Sequence, residues 1–266
     1  RLGMDGHAVA PLAWHSQTPA YLQHCNGAFT RRLTLPNVDA LTRLYPTENS
    51  MFWSRPLVSE DMRDWIEDCF DWFDANFPAP DLPILPTKAF FIASKGTDNA
   101  TARGVLNDIK RHMQFEGEVD IIPLDVLAAE YRHSYQDTSA IAGTYEQTDE
   151  ISIIRYDPEQ MHRPLQFINL LAHELMHARL NGLEDEVPGG AEAHELATDL
   201  GCIISGFGVF QLQAADDAGW FGYMSQQSRA VALAIFLDRR GLDFSTVKPF
   251  LSARCAKLVS RAIKDL

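Results

Sequence analysis

Two histidines and a glutamate in the run His173-Glu174-Leu175-Met176-His177 are the residues of this chain best suited to chemistry. Leu170, Leu171, Leu175, Met176 and Leu180 surround them with a helical apolar period. A spacing of four residues puts both imidazoles on one helix face, one turn apart, where they can grip a single metal ion. Zinc is the ion that this pattern expects. Glu174 stands beside the first imidazole, placed to take a proton from water at the metal. Two histidines and a glutamate inside an apolar helix are costly unless something compensates them, and a metal does so.

Two histidines leave a zinc site incomplete, so a third ligand is required. The stretch Glu192-Ala193-His194-Glu195-Leu196-Ala197-Thr198-Asp199 offers it. Glu195 and Asp199 lie one turn apart on one helix face. Glu195 is the expected third ligand, and Asp199 the acid that accepts the free N–H of a ligand histidine and orients it. Two rivals remain: His194, turned about 100° away on the helix, and Glu192, one turn before Glu195 on its stripe. Gly182 and Pro188-Gly189-Gly190 allow the two helices to pack side by side.

With these residues in view, the stretch from Ile151 to Phe210 resembles the gluzincin, thermolysin-like branch of the zincin metallopeptidases. The resemblance implies zinc ligands at His173, His177 and Glu195, a catalytic base at Glu174 and a supporting acid at Asp199. The metzincin branch does not fit, because its third histidine falls on Leu183. Kinship of this kind also implies a hydrogen-bond donor for the oxyanion, taken from beyond the ligand helix. Tyr223, in Gly222-Tyr223-Met224-Ser225, is the first candidate and Tyr145 the second, with core packing as the plain alternative for either. The strand before the motif helix, expected at Ile151–Ile154, is implied to line the cleft and pair with an extended peptide.

The elements that must hold these residues are legible in outline. Ser59 opens a helix running to Asn76, with Trp65, Ile66, Cys69, Phe70 and Phe73 on one face. Pro78, Pro80, Pro83 and Pro86 make an extended linker. Ala89–Ala93 is expected as a buried strand, 99–115 as a helix, Val119–Ile122 as a strand and Leu124–His133 as a helix. The polar stretch Ser134–Asp149 is expected as a loop. The motif helix begins at Pro164 and stops at Asn181-Gly182. Helices are expected from Ala191, over Ser225–Arg240 and over Ser252–Lys264. Gly206 and Gly208 suggest close packing or a helix end. The fold expected is α+β and zincin-like: helix-rich, with a small mixed sheet ahead of the motif helix. An N-terminal arm over residues 1–55 precedes a metalloprotein domain over 56–266.

The chain has 266 residues, enough to bury a large core without staples. Its formal charge of −13 argues against a nucleic-acid partner. No segment is apolar enough for a membrane span. Cys25, Cys69, Cys202 and Cys255 show no metal or redox spacing. With no signal peptide visible, a cytoplasmic home is expected. The function these features favour is a zinc-dependent hydrolase of peptides or proteins. The competing expectation is a zinc-binding scaffold without catalysis, and an intact Glu174 speaks against it.

Overall fold

A computed structural model describes residues 55–93, 95–124, 143–147, 151–219 and 222–266. Helix α1 (Glu60–Asn76) opens where Ser59 Oγ accepts the Met62 N–H at 3.3 Å. That bond satisfies one of the amides a helix start leaves free. Its apolar face buries Ile66, Cys69, Phe70 and Phe73, as the period predicts. Helix α2 (Asn99–Met113) is capped by Asp98 and closed by Gln114 at φ 52°, two residues earlier than expected.

No strand forms at Ala89–Ala93. The Phe90 and Phe91 amides turn back onto the Thr87 carbonyl. The Ile92 and Ala93 amides both go to Asp108 Oδ2 on α2, at 2.9 Å each. One carboxylate satisfies the amides that a neighbouring strand would otherwise have had to take. Ile92 is left 74% exposed.

Three strands make one mixed sheet in the order β1-β3-β2: β1 (Val119–Pro123), β2 (Gly143–Gln147) and β3 (Ser152–Tyr156). β3 pairs in parallel with β1, Ile121 against Ile154, and antiparallel with β2, Tyr145 against Ile154. Two expectations are corrected here. The polar stretch over 134–149 contains a strand, β2. The strand ahead of the motif helix, β3, is central and has both edges taken, so among the described residues β1 and β2 are the edge strands. Ser152, Ile154 and Tyr156 face the core from β3.

Helix α3 (Pro164–Leu180) carries the motif, with Pro at its start and Asn181 as C-cap. It is buried nearly all round and packs on α2, β2 and the two helices that follow. A 3-10 turn at Ala191–Ala193 leads into α4 (His194–Cys202). The chain then kinks through Ile203–Phe207, where Gly206 takes φ 93°, and continues as α5 (Gly208–Asp217). Gly206 gives its carbonyl to the Ile84 amide, and a Cβ there would sit 3.3 Å from the Leu82 carbonyl. Gly208 lets Leu233 approach closely. Helices α6 (Gln226–Arg239) and α7 (Ala253–Asp265) form over the expected ranges and are capped by Ser225 and Ser252.

The class is α+β. Contacts gather Ser54–Leu266 into one unit. Most of the expected arm over 1–55 and the expected helix over 124–133 lie outside the described residues. Among the described residues no helix is long and apolar enough to cross a membrane.

Candidate metal site

The motif histidines point their outer nitrogens at each other. His173 Nε2 and His177 Nε2 stand 3.1 Å apart, and each lies 3.5 Å from Glu195 Oε2. Glu195 reaches them because the loop between α3 and α4 is pinned. Trp65 Nε1 donates to the Pro188 carbonyl at 2.8 Å, and Val187 is buried. Gly201 then lets α4 close on Phe73 and on Met176 of α3. His173, His177 and Glu195 form a group that could hold a metal ion.

Donor chemistry supports that. Three lone-pair atoms converge on one point, and Glu195 Oε2 is buried with no hydrogen-bond partner. Such a cluster calls for a cation at its centre, a proton or a metal. Burial opposes charge on His173, but the Asp199 and Glu195 carboxylates outweigh it and push its pKa up to about 10. Burial likewise opposes the Glu195 charge, yet His173 and His177 hold that carboxyl well below its ordinary range. The negative charge that favours a proton here also favours a metal cation.

Behind the histidines the two far nitrogens are also engaged. His173 Nδ1 lies 3.0 Å from Asp199 Oδ1. Asp199 is 1% exposed, and four groups share its other contacts. Its Oδ2 accepts the Tyr223 amide at 2.7 Å, the Met224 amide at 3.0 Å and Arg229 Nη2 at 3.0 Å. Gln211 Nε2 lies 3.5 Å from Oδ1 and its Oε1 accepts from Arg229 Nε at 3.3 Å. Burial works against the Asp199 charge, but His173 and Arg229 offset it and hold the carboxyl down at about 2. His177 Nδ1 meets His194 Nε2 at 3.0 Å. His194 therefore backs His177 rather than joining the group that could hold a metal ion. Glu192 is exposed and stands outside the group.

Glu174 is 6% exposed. Burial raises its pKa, partly countered by His173, His177 and a hydrogen bond from the Tyr145 amide. That amide belongs to β2, so an edge strand borders the site. Two tyrosines flank the histidines. The Tyr145 ring stacks on His177 with centroids 6.1 Å apart and planes at 15°. The Tyr223 ring stacks on His173 at 6.1 Å and 11°. Tyr145 Oη lies 3.4 Å from Ser152 Oγ. Tyr223 is 50% exposed, and burial of the rest with the nearby Glu195 charge raises its pKa, so its hydroxyl stays a donor.

The structure thus gathers all six expected residues: His173, Glu174, His177, Glu195, Asp199 and Tyr223. Partners not foreseen include Arg229, Gln211, the Tyr223 and Met224 amides on Asp199, His194 on His177 and the amide of Tyr145. Arg229 left a trace in the sequence, as a lone cation heading the apolar run Ala230–Leu237. A fully buried arginine needs a buried acid. Nothing in the sequence said which acid. Compared with protein-family models, curated proteins and solved structures, the chain matches none.

Proposed function

We propose that the chain is a zinc-dependent hydrolase acting on peptide bonds, in a gluzincin-like arrangement. The observation that carries this is the convergence of three ligand atoms beside a buried glutamate. Around a tetrahedral zinc with bonds of about 2.0–2.2 Å, ligand atoms stand roughly 3.3–3.6 Å apart. The separations here are 3.1, 3.5 and 3.5 Å. When bound, zinc supplies a Lewis acid that polarises a carbonyl and makes a neighbouring water more acidic.

The remaining chemistry falls to the chain's own groups. Asp199 keeps the Nδ1 proton of His173 in place, leaving Nε2 free to ligate. Glu174, its pKa raised by burial, takes a proton from water as the water oxygen adds to the carbonyl carbon, and passes that proton to the amine nitrogen as the C–N bond breaks. Tyr223 presents its hydroxyl to the oxyanion that develops on the substrate. β2 offers an edge for an extended peptide beside the histidines, which favours a peptide over other substrates.

Elemental analysis of the purified protein, beside His177→Ala and Glu195→Ala, tests the metal. About one zinc per chain, lost in both variants, is expected. Absence of metal from the parent even after zinc is supplied overturns the proposal. A peptide screen with Glu174→Gln tests the chemistry: zinc content should persist and turnover should fall by about 10²–10⁴. Full turnover in Glu174→Gln would remove the base from the mechanism.

A further inference from the structure

The two motif histidines are backed by unlike groups. His173 Nδ1 faces a carboxylate, Asp199 Oδ1, at 3.0 Å. An ionised carboxylate only accepts, so the proton of that contact sits on His173 Nδ1. His177 Nδ1 faces a second imidazole, His194 Nε2, also at 3.0 Å. An imidazole nitrogen either donates or accepts, so here the direction of the bond is open to choice.

Two arrangements satisfy the contact, each with one proton on each neutral ring. In the first, His194 Nε2 donates and His177 Nδ1 accepts. The His177 proton then sits on Nε2, the atom 3.1 Å from His173 Nε2 and 3.5 Å from Glu195 Oε2. It points into the group that could hold a metal ion, and His177 cannot ligate. In the second, His177 Nδ1 donates and His194 Nε2 accepts. His177 Nε2 is then bare, and the His194 proton sits on Nδ1. Passing from the first to the second moves the His194 Nε2 proton to His177 Nδ1, releases the His177 Nε2 proton to water and returns one to His194 Nδ1. The count of protons is unchanged.

His194 is held for this one contact. It opens α4, directly after the turn Ala191–Ala193 and directly before Glu195. Thr198 Oγ1 donates to its carbonyl at 2.8 Å. Its ring lies against His177 with centroids 5.0 Å apart and planes at 36°. Its Nδ1 is buried and has no hydrogen-bond partner among the described residues. Nε2 is therefore the ring nitrogen through which His194 acts, and it acts on His177. The buried Nδ1 carries an unmatched proton in the second arrangement. That arrangement is therefore drawn by what His177 Nε2 ligates, and not by a preference of His194 itself.

We infer that His194 is the positioning residue of His177: it accepts the Nδ1 proton and so fixes the ring with a bare Nε2 toward Glu195 and His173. This differs from the support behind His173, because a carboxylate admits one arrangement and an imidazole two. The inference rests on the metal reading of the site and is independent of peptide hydrolysis.

Two measurements on the full chain test it. Long-range proton–nitrogen correlation spectra of the histidine-labelled, zinc-supplied protein read the tautomer of each ring. His177 and His194 should both carry the proton on Nδ1, with His194 Nε2 bare. Zinc affinity, read against a competing chelator, should fall by about 10–100-fold in His194→Leu. His194→Gln, whose Oε1 can accept from the same place, should bind zinc within about threefold of the parent. A His194 proton found on Nε2 in the zinc-supplied parent overturns the inference, and this reading needs no variant to fold. Unchanged affinity in His194→Leu overturns it too. So does an equal loss in His194→Gln and His194→Leu, which would make His194 a packing residue. A parent that takes up no zinc overturns the inference together with the metal reading, whereas the other three results leave that reading standing.

Discussion

Asp199 takes the backbone N–H of Tyr223 on one carboxylate oxygen, at 2.7 Å, and faces His173 with the other, at 3.0 Å. One buried acid therefore fixes His173, a member of the group that could hold a metal ion, and the tyrosine stacked on it. Asp199→Asn keeps the shape and removes the charge. It should weaken zinc binding by about 10–100-fold, read by titration against a competing chelator. Affinity equal to the parent would mean that Asp199 does not orient His173.

The same residue governs behaviour in acid. Its folded pKa, about 2, lies below the ordinary 3.8, so its contribution to stability is whole above 3.8 and drains away as pH falls toward 2. Glu195, also depressed, shifts the same way from 4.5. Denaturant unfolding of the chelated protein between pH 5 and about pH 2 should show a falling limb that flattens in Asp199→Asn. An identical limb in both would assign the acid sensitivity to other carboxyls.

Arg229 is fully buried, and Asp199 is its ion-pair partner at 3.0 Å. Arg229→Met leaves the acid without its cation and should destabilise by about 3–5 kcal/mol. The double variant Arg229→Met, Asp199→Asn should recover part of that loss, because no lone charge remains buried. Strictly additive losses in a double-mutant cycle would contradict the pairing.

Gly222 precedes the two amides that bind Asp199. It takes φ 92°, and a Cβ there would clash with Arg229 Nη2 and lie 2.8 Å from Asp199 Oδ2. Gly222→Ala should cost about 1–3 kcal/mol and reduce zinc affinity, since strain and displacement fall on the same carboxylate. Loss of stability with zinc affinity intact would confine the effect to the loop.

The two tyrosines should separate in assay. Tyr223→Phe removes an exposed donor and should lower turnover by about 10²–10³ at constant zinc content. Tyr145→Phe removes the hydroxyl that lies near Ser152 Oγ but leaves the β2 amide on Glu174, so turnover should change by less than about tenfold. A larger effect at Tyr145 would transfer the donor role to it.

The sequence by itself determined the local features. Ser59, Ser225 and Ser252 cap the helices they were expected to open, because a cap is a bond between neighbours in the chain. Four-residue spacing put His173 beside His177, and Glu195 beside Asp199, because helical period alone sets those distances. Tertiary structure decided everything that crosses between elements. It chose Glu195 over His194 by turning His194 onto the far nitrogen of His177. It placed β2 at the edge, where a polar segment pairs with β3 and lends Glu174 an amide. It cancelled the strand at Ala89–Ala93, since Asp108, fifteen residues on, satisfied the amides that a sheet would have taken. It matched Arg229 with Asp199 across thirty residues of chain. Burial set each of these pairings: a desolvated charge or amide must find a partner, and which partner lies within reach depends on how the helices and sheet pack.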